Sequence, residues 1–231
     1  MFYKEYSIEN WMSLYESCYS IHDMKPLISK DYSAFISKST SSNPVKLGQT
    51  SKMLSLIPKQ KQYYHFFQKN DLFWMIPIEL PDCSIIGFIL KNFVGEKSYL
   101  NVSFSDFHTF FGLYDFNDFK KQSLIILTEG SKDSLFVKQY YKYTLALTTS
   151  GLTSTTLAIV KSLTNKILLL YDNDDTGYLK VNSDSIQLKY HNMIPLTMKY
   201  QLKDPGEYFL SSEYHKLLFQ NSLNSIINNF R

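Results

Sequence analysis

The order of apolar and polar positions divides the chain into three zones. Residues 1–70 are polar and aromatic without a clean period, and helices are expected around 8–19 and 63–69. Between them, SKSTSSNPVKLGQTSK (37–52) is too rich in Ser, Thr, Asn and Lys to bury much apolar surface. It reads as a mobile loop, with contact to a phosphate backbone as the second reading of its basic charge. Residues 71–115 read as β-rich. LFWMIPI (72–78) and SIIGFIL (84–90) are apolar runs parted by Pro81 and Asp82, which predicts a hairpin, and a third short run follows at 98–102.

From Lys121 onward the pattern alternates between strand and helix. Strands are predicted at 124–128 (LIILT), 144–148, 166–171 (KILLLY) and 194–198. Helices are predicted at 131–141, 154–163 and 177–190, and over 205–230, where Pro205 suits a first turn. This order predicts an α/β fold: a mainly parallel sheet with helices on both faces, preceded by an α+β N-terminal part. Leu217, Leu218, Leu223, Ile226 and Ile227 form an apolar helix face expected to pack on that sheet.

Composition narrows the picture. The chain of 231 residues is 44% hydrophobic and 19% charged, enough for one large domain or two modest ones. No run approaches the ~18 apolar residues of a membrane span, and the N-terminus lacks the pattern of a secretory signal. Cys18 and Cys83 cannot build a disulfide framework or a four-thiolate zinc site, so a reduced, intracellular setting is expected. The five histidines are scattered and read as surface or core residues. A net charge of +3 decides little, but 23 lysines stand against a single arginine, Arg231. Phosphate contacts must therefore come from lysines, hydroxyls and backbone N–H groups, because bidentate guanidinium forks are almost absent.

The candidate chemistry lies at the strand ends. In an open parallel sheet, ligands collect beyond the carboxyl ends of the strands. The first strand of the alternating region ends in Glu129-Gly130, with Asp133 a turn further on; the third ends in Asp172-Asn173-Asp174-Asp175-Thr176-Gly177; the fourth is followed by Lys203-Asp204-Pro205-Gly206-Glu207. Carboxylates gathered at one edge repel one another unless a cation compensates, and hard oxygen donors select Mg²⁺ or Mn²⁺. Asp172 and Asp174, two apart on extended backbone, point to one side and can chelate together. Gly130 and Gly177 permit close backbone approach. A D-x-D pair alone is expected by chance about 0.7 times in such a composition, whereas E-G-x-x-D and D-P-x-E are each expected only about 0.01–0.02 times. Asp133 and Asp175 fit a helix N-cap or loop role equally well.

These residues resemble a TOPRIM domain, the metal-binding fold shared by DnaG-type primases, topoisomerases and some nucleases. The upstream segment resembles the primase branch. Met75-Ile76-Pro77-Ile78 precedes Gly87-Phe88-Ile89-Leu90-Lys91, then Lys97-Ser98-Tyr99-Leu100-Asn101, then Phe110-Phe111-Gly112-Leu113-Tyr114. The resemblance covers roughly residues 71–209 and includes the small-residue loop Leu147–Thr153 and the KDPGEY segment at 203–208. It departs from the family in having only Lys91 for the arginines after G-F, a serine inserted in K-Y-L-N, and Thr109 and Phe110 where a basic residue is usual.

The resemblance implies an N-terminal primase-like subdomain over 1–120, a TOPRIM domain over 121–204 and a C-terminal helical segment over 205–231. It implies a nucleotidyltransferase that makes short RNA primers on single-stranded DNA. Glu129, Asp172 and Asp174 would be catalytic and metal-binding, using Mg²⁺ or Mn²⁺, with Asp204, Glu207 and Asp133 holding a further ion or its waters. Lys91, Lys97, Asn101, Gly130 and Gly177 would bind nucleotide or template. Implied partners are single-stranded DNA, ribonucleoside triphosphates and a replicative helicase or separate zinc-binding protein, in the cytoplasm of a bacterial or phage-infected cell. Two alternatives remain: a TOPRIM nuclease, and a non-catalytic replication accessory that binds nucleic acid or helicase.

Overall fold

The computed structural model describes residues 9, 19–20, 64–68, 71–79, 85–92, 99–103, 110–113, 116–209 and 211–230. The chain forms two compact units, one of Met1–Ile78 with Ile85–Asp106 and one of Glu79–Ser84 with Phe107–Arg231.

The first unit carries a five-stranded sheet in sequence order: β1 (Tyr19–Ser20), β2 (Tyr64–Gln68), β3 (Asp71–Glu79), β4 (Ile85–Asn92) and β5 (Tyr99–Ser103). The β3 and β4 neighbours match the expected hairpin runs. The helix expected at 63–69 is instead strand β2, antiparallel to β3 from Tyr64↔Met75 to Gln68↔Asp71. Its aromatic sequence YHFFQ suits a pleated strand, and β3, two residues further along the chain, supplies a ladder that a lone helical turn could not match. Of the helix expected at 8–19, Glu9 is helical and Tyr19 is in strand β1, and the rest lies outside the described residues, as does the loop at 37–52.

The second unit is built on a sheet ordered β10-β9-β7-β8-β6. Its strands are β6 (Phe110–Phe111), β7 (Ile125–Thr128), β8 (Thr144–Leu147), β9 (Lys166–Leu170) and β10 (Ile194–Thr197). All neighbours are parallel except β6, which runs antiparallel to β8. The helices are α1 (Phe116–Phe119), α2 (Ser131–Val137), α3 (Ser154–Leu163), α4 (Asp175–Tyr190) and α5 (Glu213–Phe230), with a 3₁₀ turn at Pro205–Phe209 before α5. The helical segment expected from 205 is thus split, because Pro205 opens a tight turn that ends before α5 begins.

Strand periodicity divides the core in two. Ile125, Leu127, Leu145, Leu147, Ile167 and Leu169 pack with Leu157, Val160 and Leu163 of α3 and Leu188 of α4. The alternate residues Leu124, Ile126, Leu168 and Leu170 pack with Phe136 and Val137 of α2, Tyr208 of the 3₁₀ turn, and Phe219, Leu223 and Ile227 of α5. Successive side chains of a strand point to opposite faces, so an unbroken apolar run is what a sheet covered on both sides demands. Each such Leu or Ile contributes about 1.5–3 kcal/mol through burial. The C-terminal helix covers the sheet through Phe219, Leu223 and Ile227, with Ile226 partly buried. Of the face expected to pack there, Leu217 and Leu218 are exposed instead, because the stripe that meets the sheet runs 219–223–227 at helical spacing.

Two local devices fix the loops after β8 and β9. Thr153 and Thr156 form a reciprocal capping box that starts α3. Asp184 on α4 is buried, 2% exposed, and accepts hydrogen bonds from the Tyr171 hydroxyl at 2.7 Å and the Leu152 N–H at 3.3 Å. It thereby ties the ends of β8 and β9 to one helix. Gly177 is dictated by space: a Cβ there would lie 1.8 Å from the Asp172 carbonyl oxygen, a backbone atom that cannot swing away. Among the described residues no helix is long and apolar enough to cross a membrane.

Gly177→Ala is therefore expected to cost about 1–3 kcal/mol, the range for overpacking a tight site. Exposed Ser183→Ala on the same helix is expected to stay within about 0.5 kcal/mol of wild type. Urea denaturation of the two variants checks this, and equal midpoints would contradict it.

Candidate metal centre at the strand ends

The parallel pairing of β7 with β9 sets Thr128 opposite Leu170, so the residues that follow both strands emerge side by side. Glu129 comes directly after β7. One of its oxygens, Oε1, accepts the backbone N–H of Asp172 at 3.2 Å, and the other, Oε2, pairs with the Lys180 ammonium from α4. Asp174 caps α4, its Oδ1 accepting from Gly177 N–H at 2.9 Å, and its Oδ2 lies 3.4 Å from Lys203 Nζ. Asn173 between them donates to the Tyr200 carbonyl at 3.0 Å, and the Tyr200 hydroxyl donates to the carbonyl of Tyr171. The acidic loop is thus clamped from both sides by the segment that follows β10.

The third acidic segment folds back onto itself and onto α2. Asp204 Oδ1 accepts Glu207 N–H at 2.7 Å, and Glu207 Oε2 accepts Lys203 N–H at 3.0 Å. Asp133 reaches across from α2, where its Oδ1 accepts Gly206 N–H at 3.0 Å. Lys132 pairs with both oxygens of Asp204, at 3.3 and 3.4 Å.

The electrostatics report a concentrated negative field. Burial, followed by the charges of Glu129, Asp204 and Asp174, pushes the Asp172 carboxyl up to about 6. Burial and then the Asp204 charge push Asp133 up to about 7, against the pull of Lys132 and of Gly206 N–H. The Tyr200 hydroxyl is raised by burial and by Asp133, Asp172, Asp204 and Glu129. For Lys132, burial disfavours the charge, yet Asp133, Asp204 and Glu207 outweigh it and hold the ammonium above its usual range. Asp174 moves the other way, lowered first by the Gly177 N–H and further by Lys203.

This donor chemistry fits a divalent ion. Hard carboxylate oxygens that raise one another's proton affinity are also ones whose repulsion a cation relieves. Among the described residues, however, no three acidic, histidine or cysteine side chains form a ready ligand cluster. Lysine ammonium groups lie on Glu129, Asp174 and Asp204.

The remaining residues singled out in the sequence fall elsewhere. Gly130 is the residue before α2, and Asp175 is the first residue of α4, whose cap is Asp174. Lys91 stands opposite Tyr99 and Asn101 opposite Ile89 in the β4–β5 ladder of the first unit. Lys97 lies outside the described residues. Sequence reasoning missed Lys132, Lys180, Tyr200 and Asp184. Asp184 carried a signal, since Gly177, Asp184 and Leu188 repeat at helical spacing along the buried stripe of α4.

The Asp133 shift has a defined consequence for stability. An unfolded Asp titrates near ~3.9. Folding therefore takes up a proton between about pH 4 and 7, and stability falls as pH rises through that window. Asp133→Asn keeps an acceptor for Gly206 N–H and removes the charge. It is expected to stabilise by about 1–3 kcal/mol near pH 8 and to change little near pH 4. Thermal midpoints measured at both pH values check this, and an equal shift at both would contradict it.

Comparison with known proteins agrees with this architecture. No family model matches the chain. A DNA primase of Aquifex aeolicus (strain VF5) is 29% identical over 137 residues, which cover 56% of this chain and 26% of that protein. The chain thus spans about a quarter of the length of that curated relative. The crystal structure of the Aquifex aeolicus primase zinc-binding and RNA polymerase domains superposes with a TM-score of 0.56 at 27% identity, covering 70% of this chain and 43% of that one. A DnaG primase catalytic domain bound to single-stranded DNA gives a TM-score of 0.56 at 16% identity over 90% of this chain and 77% of the other. In sequence and in architecture together, the chain is similar to the DnaG-type primase catalytic core, whose fold it shares.

Proposed function

We propose that the chain is the polymerising core of a primase, a nucleotidyltransferase that joins ribonucleotides into short RNA primers on single-stranded DNA. The observation that carries this reading is the joining of two strand ends at one carboxylate pair. Glu129 holds the backbone of Asp172, and after burial its charge is the next cause that raises the Asp172 carboxyl. The similarity to a bacterial DNA primase in both sequence and fold supports it.

Glu129, Asp172 and Asp174 would hold Mg²⁺ or Mn²⁺. A divalent ion bound there supplies charge stabilisation for the attacking 3′-oxygen and the leaving pyrophosphate. The chain's own contribution is positioning. Glu129 Oε1 fixes the Asp172 backbone, Gly177 N–H orients the Asp174 carboxylate, and the Tyr200–Asn173 clamp keeps the loop from relaxing away from its own repulsion. Lys180 and Lys203 neutralise the acids before an ion arrives. Lys91, Lys97 and Asn101 are proposed to meet nucleotide phosphates or template. Gly177, whose open face is taken by the Asp172 carbonyl, and Gly130, beside the Asp133 carboxylate, serve the local fold instead of the close ligand approach expected of them. Single-stranded DNA, ribonucleoside triphosphates and a replicative helicase or a zinc-binding protein that selects the template are the proposed partners. The setting proposed is the cytoplasm of a bacterial or phage-infected cell.

Incorporation of labelled ribonucleotides on single-stranded DNA tests the reading. Short RNA products are expected with Mg²⁺ or Mn²⁺, and Asp172→Ala/Asp174→Ala is expected to reduce them on the order of 10²–10³-fold. Metal-dependent template degradation without synthesis would establish the nuclease instead. Activity is also expected to rise with pH through about 6, because the ionised form of Asp172 is the ligand. Raising Mg²⁺ should move that rise to lower pH, since a cation favours the ionised form. A profile indifferent to Mg²⁺ would contradict that assignment.

A further inference from the structure

The acids after β10 and on α2 invite a second ion beside the one at Glu129 and Asp172, yet the structure fills that place from within. Lys132 extends from α2 to both oxygens of Asp204, at 3.3 and 3.4 Å, with its side chain 29% and that of Asp204 17% exposed. Gly206 leaves room for that path. A Cβ on Gly206 would lie 2.1 Å from Lys132 Cε, 3.0 Å from Lys132 Nζ and 2.7 Å from Asp133 Oδ1. The neighbouring acids are held in place by backbone donors. Asp133 Oδ1 takes Gly206 N–H, Asp204 Oδ1 takes Glu207 N–H, and Glu207 Oε2 takes Lys203 N–H.

We propose that Lys132 is a tethered cation that occupies the place of a second divalent ion beside Asp204 and Asp133, so that the centre accepts one exchangeable ion. This rests on the metal reading of Glu129 and Asp172 given above. A tethered ammonium has a standing advantage over a free ion. It loses little translational freedom on docking, whereas Mg²⁺ must also shed waters it releases reluctantly. The carboxylates need a positive partner, and the chain carries its own. The consequence is a centre that is half-neutralised at any metal concentration and that responds to the ion at a single position.

Counting bound Mn²⁺ by the electron paramagnetic resonance of the free ion tests this without any activity assay. Wild type is expected to bind one Mn²⁺ per chain at saturation. Lys132→Met is expected to bind two, and Lys132→Arg, which retains the charge, one. Lys132→Gln, which removes the charge but keeps a polar side chain of similar length, is expected to gain a second ion as well. This variant also serves if Lys132→Met fails to fold. Adding Asp204→Asn to Lys132→Met should return the count to one. One ion in wild type and still one in both Lys132→Met and Lys132→Gln would overturn the tethered-cation role while leaving the metal centre standing, as would two or more ions in wild type. No ion in any variant would overturn the metal reading itself and this inference with it.

Discussion

The gathering of negative charge at the end of an apolar sheet is the constraint on which the rest of this molecule depends. β7 and β9 lie side by side in parallel register, nearly every residue of both is buried, and each delivers a carboxylate at its end. Left alone, those charges would drive the strand ends apart or protonate. The fold answers with fixed dipoles and tethered cations: the Asp172 N–H on Glu129, the Gly177 N–H on Asp174, the Gly206 N–H on Asp133, and lysines 180, 203 and 132 on Glu129, Asp174 and Asp204. Burial first, and the neighbouring charges after it, keep the carboxyls of Asp172 and Asp133 raised. A buried charge that the protein only partly neutralises is a place prepared for an ion.

This view explains why residues outside the acidic cluster are so closely specified. Gly177 has no side chain because the Asp172 carbonyl passes directly over it. Asp184, buried on the inward face of α4, binds the Tyr171 hydroxyl and the Leu152 N–H, so the helix that begins at Asp174 also anchors the two neighbouring loops. Tyr208, packed among Phe136, Tyr200 and Phe219, uses its hydroxyl to accept Gln201 N–H at 2.8 Å and holds the returning segment against the sheet. The packing under the sheet and the polar ties above it are one device: the first gives rigid strand ends and the second keeps charged loops on them.

Much of this was legible in the sequence, and the physical reason is periodicity. LIILT and KILLLY are unbroken apolar runs because both sheet faces are covered, and the acids are readable because they break those runs abruptly. The N-terminal reading failed where that signal was missing. YHFFQ is too short and too aromatic to separate a helix from a strand, and its state is decided by the ladder that β3 offers from Tyr64↔Met75 onward. The lysines that pair with the acids were invisible for a different reason. Lys132 precedes Asp133 in sequence, but its partner Asp204 is 72 residues away, and nothing local announces that long-range contact.

The central claim is that Glu129 and Asp172 together form a seat for a divalent cation. The most direct measurement is anomalous diffraction from crystals of the chain grown with Mn²⁺. The account predicts a manganese peak within coordination distance of carboxylate oxygens from both Glu129 and Asp172. Well-ordered crystals in which manganese is absent from those two side chains, or bound only elsewhere, would contradict it.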